Sequence, residues 1–261
     1  MRIWKLVLMG LICWVSLGMA QEALPDDKAA DWIVWLDGTT YVPEWKTALQ
    51  AAGTAMEPGE VCDLFISGTR QRFVRSAGEF SVNELESRIV EAVENGGHIL
   101  EQIRKEMQRN SSSSGDMAIR SYLNARKQLL DLYGQRQQAF WKMLEEGGIA
   151  PGSRLLVLVQ QFDAPGCSRS MMDNAGDWSM ELQDCSPWEE KKKNIKKIAE
   201  KLKQQNCRVD GFYLKTRGRT NRADFEVSKA LFSGVSRLSK ATGGISENLD
   251  SDVDVIASKL K

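Results

Sequence analysis

The stretch Asp31 to Trp45 reads DWIVWLDGTTYVPEW. Trp32 to Leu36 is a short apolar run with the length of a buried strand. It ends on Asp37-Gly38-Thr39-Thr40, and Pro43 then opens a helix-like pattern at a position where a missing N–H costs nothing. A strand followed by a helix, with an acid and hydroxyls at the strand's carboxyl end, is the arrangement in which α/β proteins bind ligands. Asp37, Thr39 and Thr40 are therefore the first candidate binding residues.

The rest of the chain repeats that alternation. The Pro43 helix carries Trp45, Ala48, Leu49 and Ala52 on one stripe. Cys62 to Ser67 predicts a strand, and Gly68-Thr69 turns it into another over Gln71 to Arg75. This hairpin requires one antiparallel pair in an otherwise parallel sheet. Ser81 to Glu84 forms a capping box, with Phe80 and Leu85 at the staple positions. Helical patterns continue across Ile99, Ile103 and Met107, break at Asn110 to Gly115 (NSSSSG), and resume from Met117 to Glu146. This extended helical segment, about 97–148, is expected to offer a partner surface near Tyr133 to Trp141. Adjacent Phe140 and Trp141 point different ways on a helix, so one ring is expected to be exposed.

Arg154 to Val159 is a continuous branched apolar run, the pattern of a strand covered on both faces. A polar loop over Asp163 to Ser186 follows, and Trp178 and Trp188 offer aromatic anchors near it. The helix predicted over Pro187 to Gln205 turns Ile195, Ile198, Ala199 and Leu202 inward. Its lysines, Lys191 to Lys193 and Lys196-Lys197, read as a solvated face, with an anionic-surface patch as the second reading. Val209 to Leu214 predicts a strand, Phe225 to Thr242 a helix closed by Gly243-Gly244, Ile245 the start of a short last strand, and Ser251 the cap of a final helix. The whole predicts an α/β fold: a mainly parallel sheet with one antiparallel hairpin strand and helices on both faces.

Residues 1–20 have the form of a secretory signal peptide: Arg2 and Lys5, an apolar run from Leu6 to Val15, and the small-x-small site Gly18-Met19-Ala20 before Gln21. Residues 21–30 then form a linker and 31–261 the folded domain. Loss of Arg2 and Lys5 takes 35 basic residues to 33 against 35 acidic ones. A net charge near −2 argues against a nucleic-acid partner. No later run has the length of a membrane span. The expected location is periplasmic or secreted. Four cysteines remain, an even count with three possible pairings in an oxidising compartment. Cys167 and Cys185 flank the polar loop and are the preferred pair, which leaves Cys62 with Cys207. With His98 the lone histidine and no zinc-like spacing, no zinc site is expected.

The order of elements, with its early hairpin, resembles the von Willebrand factor A domain family, a Rossmann-like fold. Three local sequences carry the resemblance: Asp37-Gly38-Thr39-Thr40, Ser113-Ser114-Gly115-Asp116 before the long helix, and Ala241-Thr242-Gly243-Gly244. The resemblance implies a binding face made of Asp37, Thr39, Thr40, Ser113, Ser114, Asp116 and Asp163. It also implies a divalent-cation site whose best-matched ligands are Asp37 and Thr39. That site is degenerate: Tyr41 stands at the last hydroxyl position, and Gln160-Gln161 replaces the usual Thr-Asp. Weak Mg²⁺ is the one cofactor it would take. Leu36-Asp37-Gly38-Thr39 is also similar to the haloacid-dehalogenase phosphatase motif, but its nucleophile position is Trp35, and an indole cannot attack phosphorus. The expected function is non-enzymatic protein binding or assembly in the bacterial cell envelope. The alternative is a metal-dependent extracytoplasmic hydrolase or phosphatase-like enzyme centred on Asp37.

Overall fold

A computed structural model describes residues 28–37, 43–66, 69–91, 105, 116–161, 163–164, 188–215, 225–226, 228–249 and 255–260. The apolar run at the start is strand β1, Trp32–Asp37, and the helix after it is α1, Pro43–Ala55. Strands β2 (Val61–Ile66) and β3 (Thr69–Val74) form the expected hairpin, and a helix covers residues 83–91. Helix α2 spans Asp116–Glu145 without a break at Gly134. Then come β4 (Arg154–Gln160), the two-residue β5 (Asp163–Ala164), α3 (Lys192–Gln204) and β6 (Arg208–Leu214). The chain closes with β7 (Phe225–Glu226), α4 (Ser228–Thr242), β8 (Ser246–Leu249) and α5 (Val255–Leu260).

Among the described residues the main sheet has six strands, in the order β3-β2-β1-β4-β6-β8. Only β2–β3 is antiparallel; the other pairs are parallel. This is an α/β, Rossmann-like fold. Alternation along each strand divides the core into two layers. Trp32, Val34, Leu36, Leu156, Leu158 and Phe212 pack on one face with α1, α5 and the 83–91 helix. Ile33, Trp35, Leu155, Val157, Val159, Val209 and Tyr213 pack on the other with α2, α3 and α4. The two faces follow from handedness. Progression from β1 to β2 runs one way along the sheet and from β4 to β6 the other, so right-handed crossovers put α1 and α3 on opposite sides.

Two expectations are corrected. Phe225 and Glu226 are not the first turn of α4; they pair antiparallel with Ala164 and Asp163 as a separate two-stranded ladder. Phe140 and Trp141 are both buried, at 0% and 2% exposure, so neither ring is offered to a partner. Phe140 meets Trp35 edge-on at 5.1 Å, and Trp141 lies under α4 at Gly234. A Cβ at Gly234 would stand 2.6 Å from the indole Cζ2, so only glycine lets α4 approach this closely.

The Ala241-Thr242-Gly243-Gly244 sequence has a structural reason. Gly243 takes the left-handed conformation (φ +74°) and the Gly244 N–H donates to the Ser239 carbonyl, a Schellman closure. The Thr242 hydroxyl accepts from the Val209 N–H, and a Cβ on Gly244 would lie 1.8 Å from the Val209 carbonyl oxygen. The motif thus docks the end of α4 on the start of β6. Beside it Asp210, fully buried, accepts from the Arg154 and Arg208 guanidinium groups and the Ile245 N–H.

Candidate functional site

In an open sheet of this order the topological switch point lies between β1 and β4, and ligands bind outside the carboxyl ends of the strands there. Asp37 is the last residue of β1 and pairs with Val159 of β4, so it stands at the switch point. Alternation turns it toward the face covered by α2.

Asp37 is 3% exposed, and Tyr133 on α2 donates its hydroxyl to the carboxylate at 2.5 Å. Burial raises the Asp37 carboxyl from 3.8 to about 6, against the opposing pull of the Tyr133 hydrogen bond and the Arg136 charge. Burial also pushes the Tyr133 phenol well above its ordinary value, and the neighbouring Asp37 charge adds to that. Gln137, one helical turn on, is 1% exposed, and its Nε2 has no hydrogen-bond partner among the described residues. Beyond Tyr133 lies Tyr213 of β6, whose hydroxyl pairs with Ser228 Oγ at 2.9 Å at the start of α4. Asp37, Tyr133, Arg136, Gln137, Tyr213 and Ser228 thus form a polar band beneath the carboxyl-end face.

Of the expected site residues, the structure places Asp37 in this band and Asp163 in β5, which lies against α2. Asp116 opens α2. Thr39, Thr40, Ser113 and Ser114 fall outside the described residues, as do His98, Trp178 and the Cys167–Cys185 pair. Trp188 is half-buried and packs on the core beside Gly134. Trp35, at the phosphatase nucleophile position, is a core ring stacked on Phe65 at 5.5 Å.

The Cys62–Cys207 pairing is corrected: both are free buried thiols. Cys62 sits on β2 and packs on the α1 face; Cys207 precedes β6 and packs on the α3 face. Two strands stand between β2 and β6, which puts about 14 Å between them at the usual strand spacing. A disulfide spans no more than about 7 Å between Cα atoms.

Tyr133 and Gln137 were missed from sequence. Their signal was a polar pair at i, i+4 on the stripe that also carries Leu129, Phe140 and Leu144, a buried face that has no need of an amide.

No protein-family model matches the chain, and no curated protein matches it. Among solved structures it is similar to the crystal structure of the human COPII-coat protein Sec24c, at 11% identity and a TM-score of 0.32. That likeness covers 85% of this chain and 29% of the other, so this chain spans under a third of that one. A likeness this slight assigns neither family nor partner.

Proposed function

We propose that this chain is an exported, non-enzymatic protein-binding module of the bacterial cell envelope, built on a von Willebrand A-like domain with a degenerate cation site. Its binding face is the carboxyl end of the sheet around the β1–β4 switch point. The observation that carries the reading is the Asp37–Tyr133 pair. The strand-end carboxylate, which an adhesion site of this family would turn toward a cation, is buried and already bonded to a phenol from α2. The polar band then acts as a floor beneath the carboxyl-end face, fixed by the Tyr133–Asp37 and Tyr213–Ser228 hydrogen bonds. The antiparallel third strand, and the separation of β2 from β6 by β1 and β4, support the family resemblance. No helix among the described residues is long and apolar enough to cross a membrane.

One observation favours the alternative, a metal-dependent hydrolase centred on Asp37. A buried carboxyl raised to about 6 is in the range useful for proton transfer.

Site-specific photocrosslinking in an exporting host tests the binding face. A crosslinker at position 40 or 163, at the carboxyl end, should capture one discrete envelope protein. One at Glu60 or Gly152, at the opposite end, should not. Equal capture from both ends, or capture only from the amino end, would refute the assignment.

A further inference from the structure

We propose that the outer surface of α3 and α4 is a basic docking face for an anionic lipid bilayer. This face is separate from the carboxyl-end site and independent of the reading given for it. The two helices pack side by side on the same face of the sheet. Both bury one stripe, Ile195, Ile198, Ala199 and Leu202 on α3 and Leu231, Val235 and Leu238 on α4. The opposite stripes are solvent-facing. On α3 they expose Lys192, Lys193, Lys196, Lys197 and Lys203; on α4 they expose Arg237 and Lys240. Helix α4 contains no acidic residue, and α3 contains one, Glu200, set 3.9 Å from Lys196.

Charge complementarity identifies the occupant. The two helices hold nine basic residues and one acid in a chain whose formal charge is zero, so the rest of the molecule is net acidic. The two helices are therefore a locally basic part of the chain. The first-turn lysines do not serve the helix that carries them, whereas Lys203 stands in the last turn, where a cation suits the dipole. The first turn of α3 has no acid and no side-chain cap, and Lys191 to Lys193 stand where the helix dipole disfavours cations. Glu145 at the end of α2 and Glu190 stand among these lysines, and Glu190 is engaged with Asn194 and the Lys191 N–H.

The chemistry of the cations selects among anionic partners. All but one of the seven exposed cations named are lysines, point charges on flexible stems suited to a diffuse field. Bidentate phosphate readout in nucleic acids or phosphopeptides favours arginine. Two helices lying side by side on a sheet offer a broad surface, and the recess beside α3 sets Lys191, Lys193, Lys196 and Lys197 among Glu145, Glu190 and Glu200, a mixed lining rather than an all-cationic anion cleft. A polybasic surface of this kind is attracted to anionic headgroups, each cation adding to the attraction within a Debye length.

Cosedimentation of the full chain, processed at its signal site, with vesicles is the test. Phosphatidylglycerol–phosphatidylcholine vesicles should bind it at low ionic strength, phosphatidylcholine alone should not, and binding should fall as salt shortens the screening length. The variant Lys192→Gln/Lys193→Gln/Lys196→Gln/Lys197→Gln should lose about tenfold or more in vesicle affinity with an unchanged melting temperature. Arg237→Gln/Lys240→Gln on the neighbouring helix should weaken it as well, whereas Lys259→Gln on the far side of the sheet should not. Failure to bind anionic vesicles at low salt would overturn the proposal. So would binding indifferent to both variants, or tighter binding to a short DNA duplex than to the vesicles.

Discussion

Asp37 shows how much of a site a sequence can disclose. Its place at a strand end was legible because the apolar run before it has the length of one strand and Pro43 restarts the chain as a helix. Its partner was not, because Tyr133 is 96 positions away and meets it only once α2 docks. The pair has a pH signature. A carboxyl raised from 3.8 to about 6 binds its proton more tightly in the folded state. Stability from this group is full below the lower value, falls as pH rises through the window, and is level above it. That rise corresponds to about 3 kcal/mol. Asp37→Asn, which keeps an acceptor for Tyr133, should match the wild type near pH 4 and be more stable above pH 7. Denaturant melts across that range measure the difference; a variant equally destabilised at every pH would contradict the assignment. Tyr133→Phe removes the donor and should cost about 1–3 kcal/mol at neutral pH.

At the scale of elements, the periodicities located the helices that the structure describes, because each buries one stripe. They failed where a contact is set by shape. The exposed ring expected in the Phe140-Trp141 pair is absent because α4 comes down on Trp141 at Gly234 and widens the buried arc of α2. Gly234→Ala would force a methyl group against that indole and should cost about 1–3 kcal/mol, with a shift in tryptophan emission. An unchanged melting point and spectrum would show that the two helices can part at no cost. The β5–β7 ladder was illegible for another reason: two residues per strand leave no period to read. Strand order also decides the thiols. Cys62 and Cys207 should alkylate only after denaturation, without prior reduction, and peptide mapping that found them joined would contradict the sheet order.

For the molecule as a whole, the class of fold was the most legible property. A hairpin among helix-linked strands allows few sheets, and the branched run Arg154 to Val159 demanded cover on both faces, which the two helical layers supply. The charge asymmetry was half legible: the lysine run of α3 stood out, but α4 joined it only when the fold set the two side by side. Under the proposal of export, the processed protein should begin at Gln21, and an intact mass retaining Met1 would refute it. The central claim is that Asp37 belongs to an internal floor beneath a protein-binding face and is not a working cation ligand. The most direct measurement is the melting temperature of the wild type and Asp37→Ala across a Mg²⁺ and Mn²⁺ titration, since a cation that binds only the folded form raises it. The expected result is no cation-dependent rise in either protein. A rise of several degrees in the wild type, absent from Asp37→Ala, would contradict the claim and point instead to metal-dependent adhesion or hydrolysis.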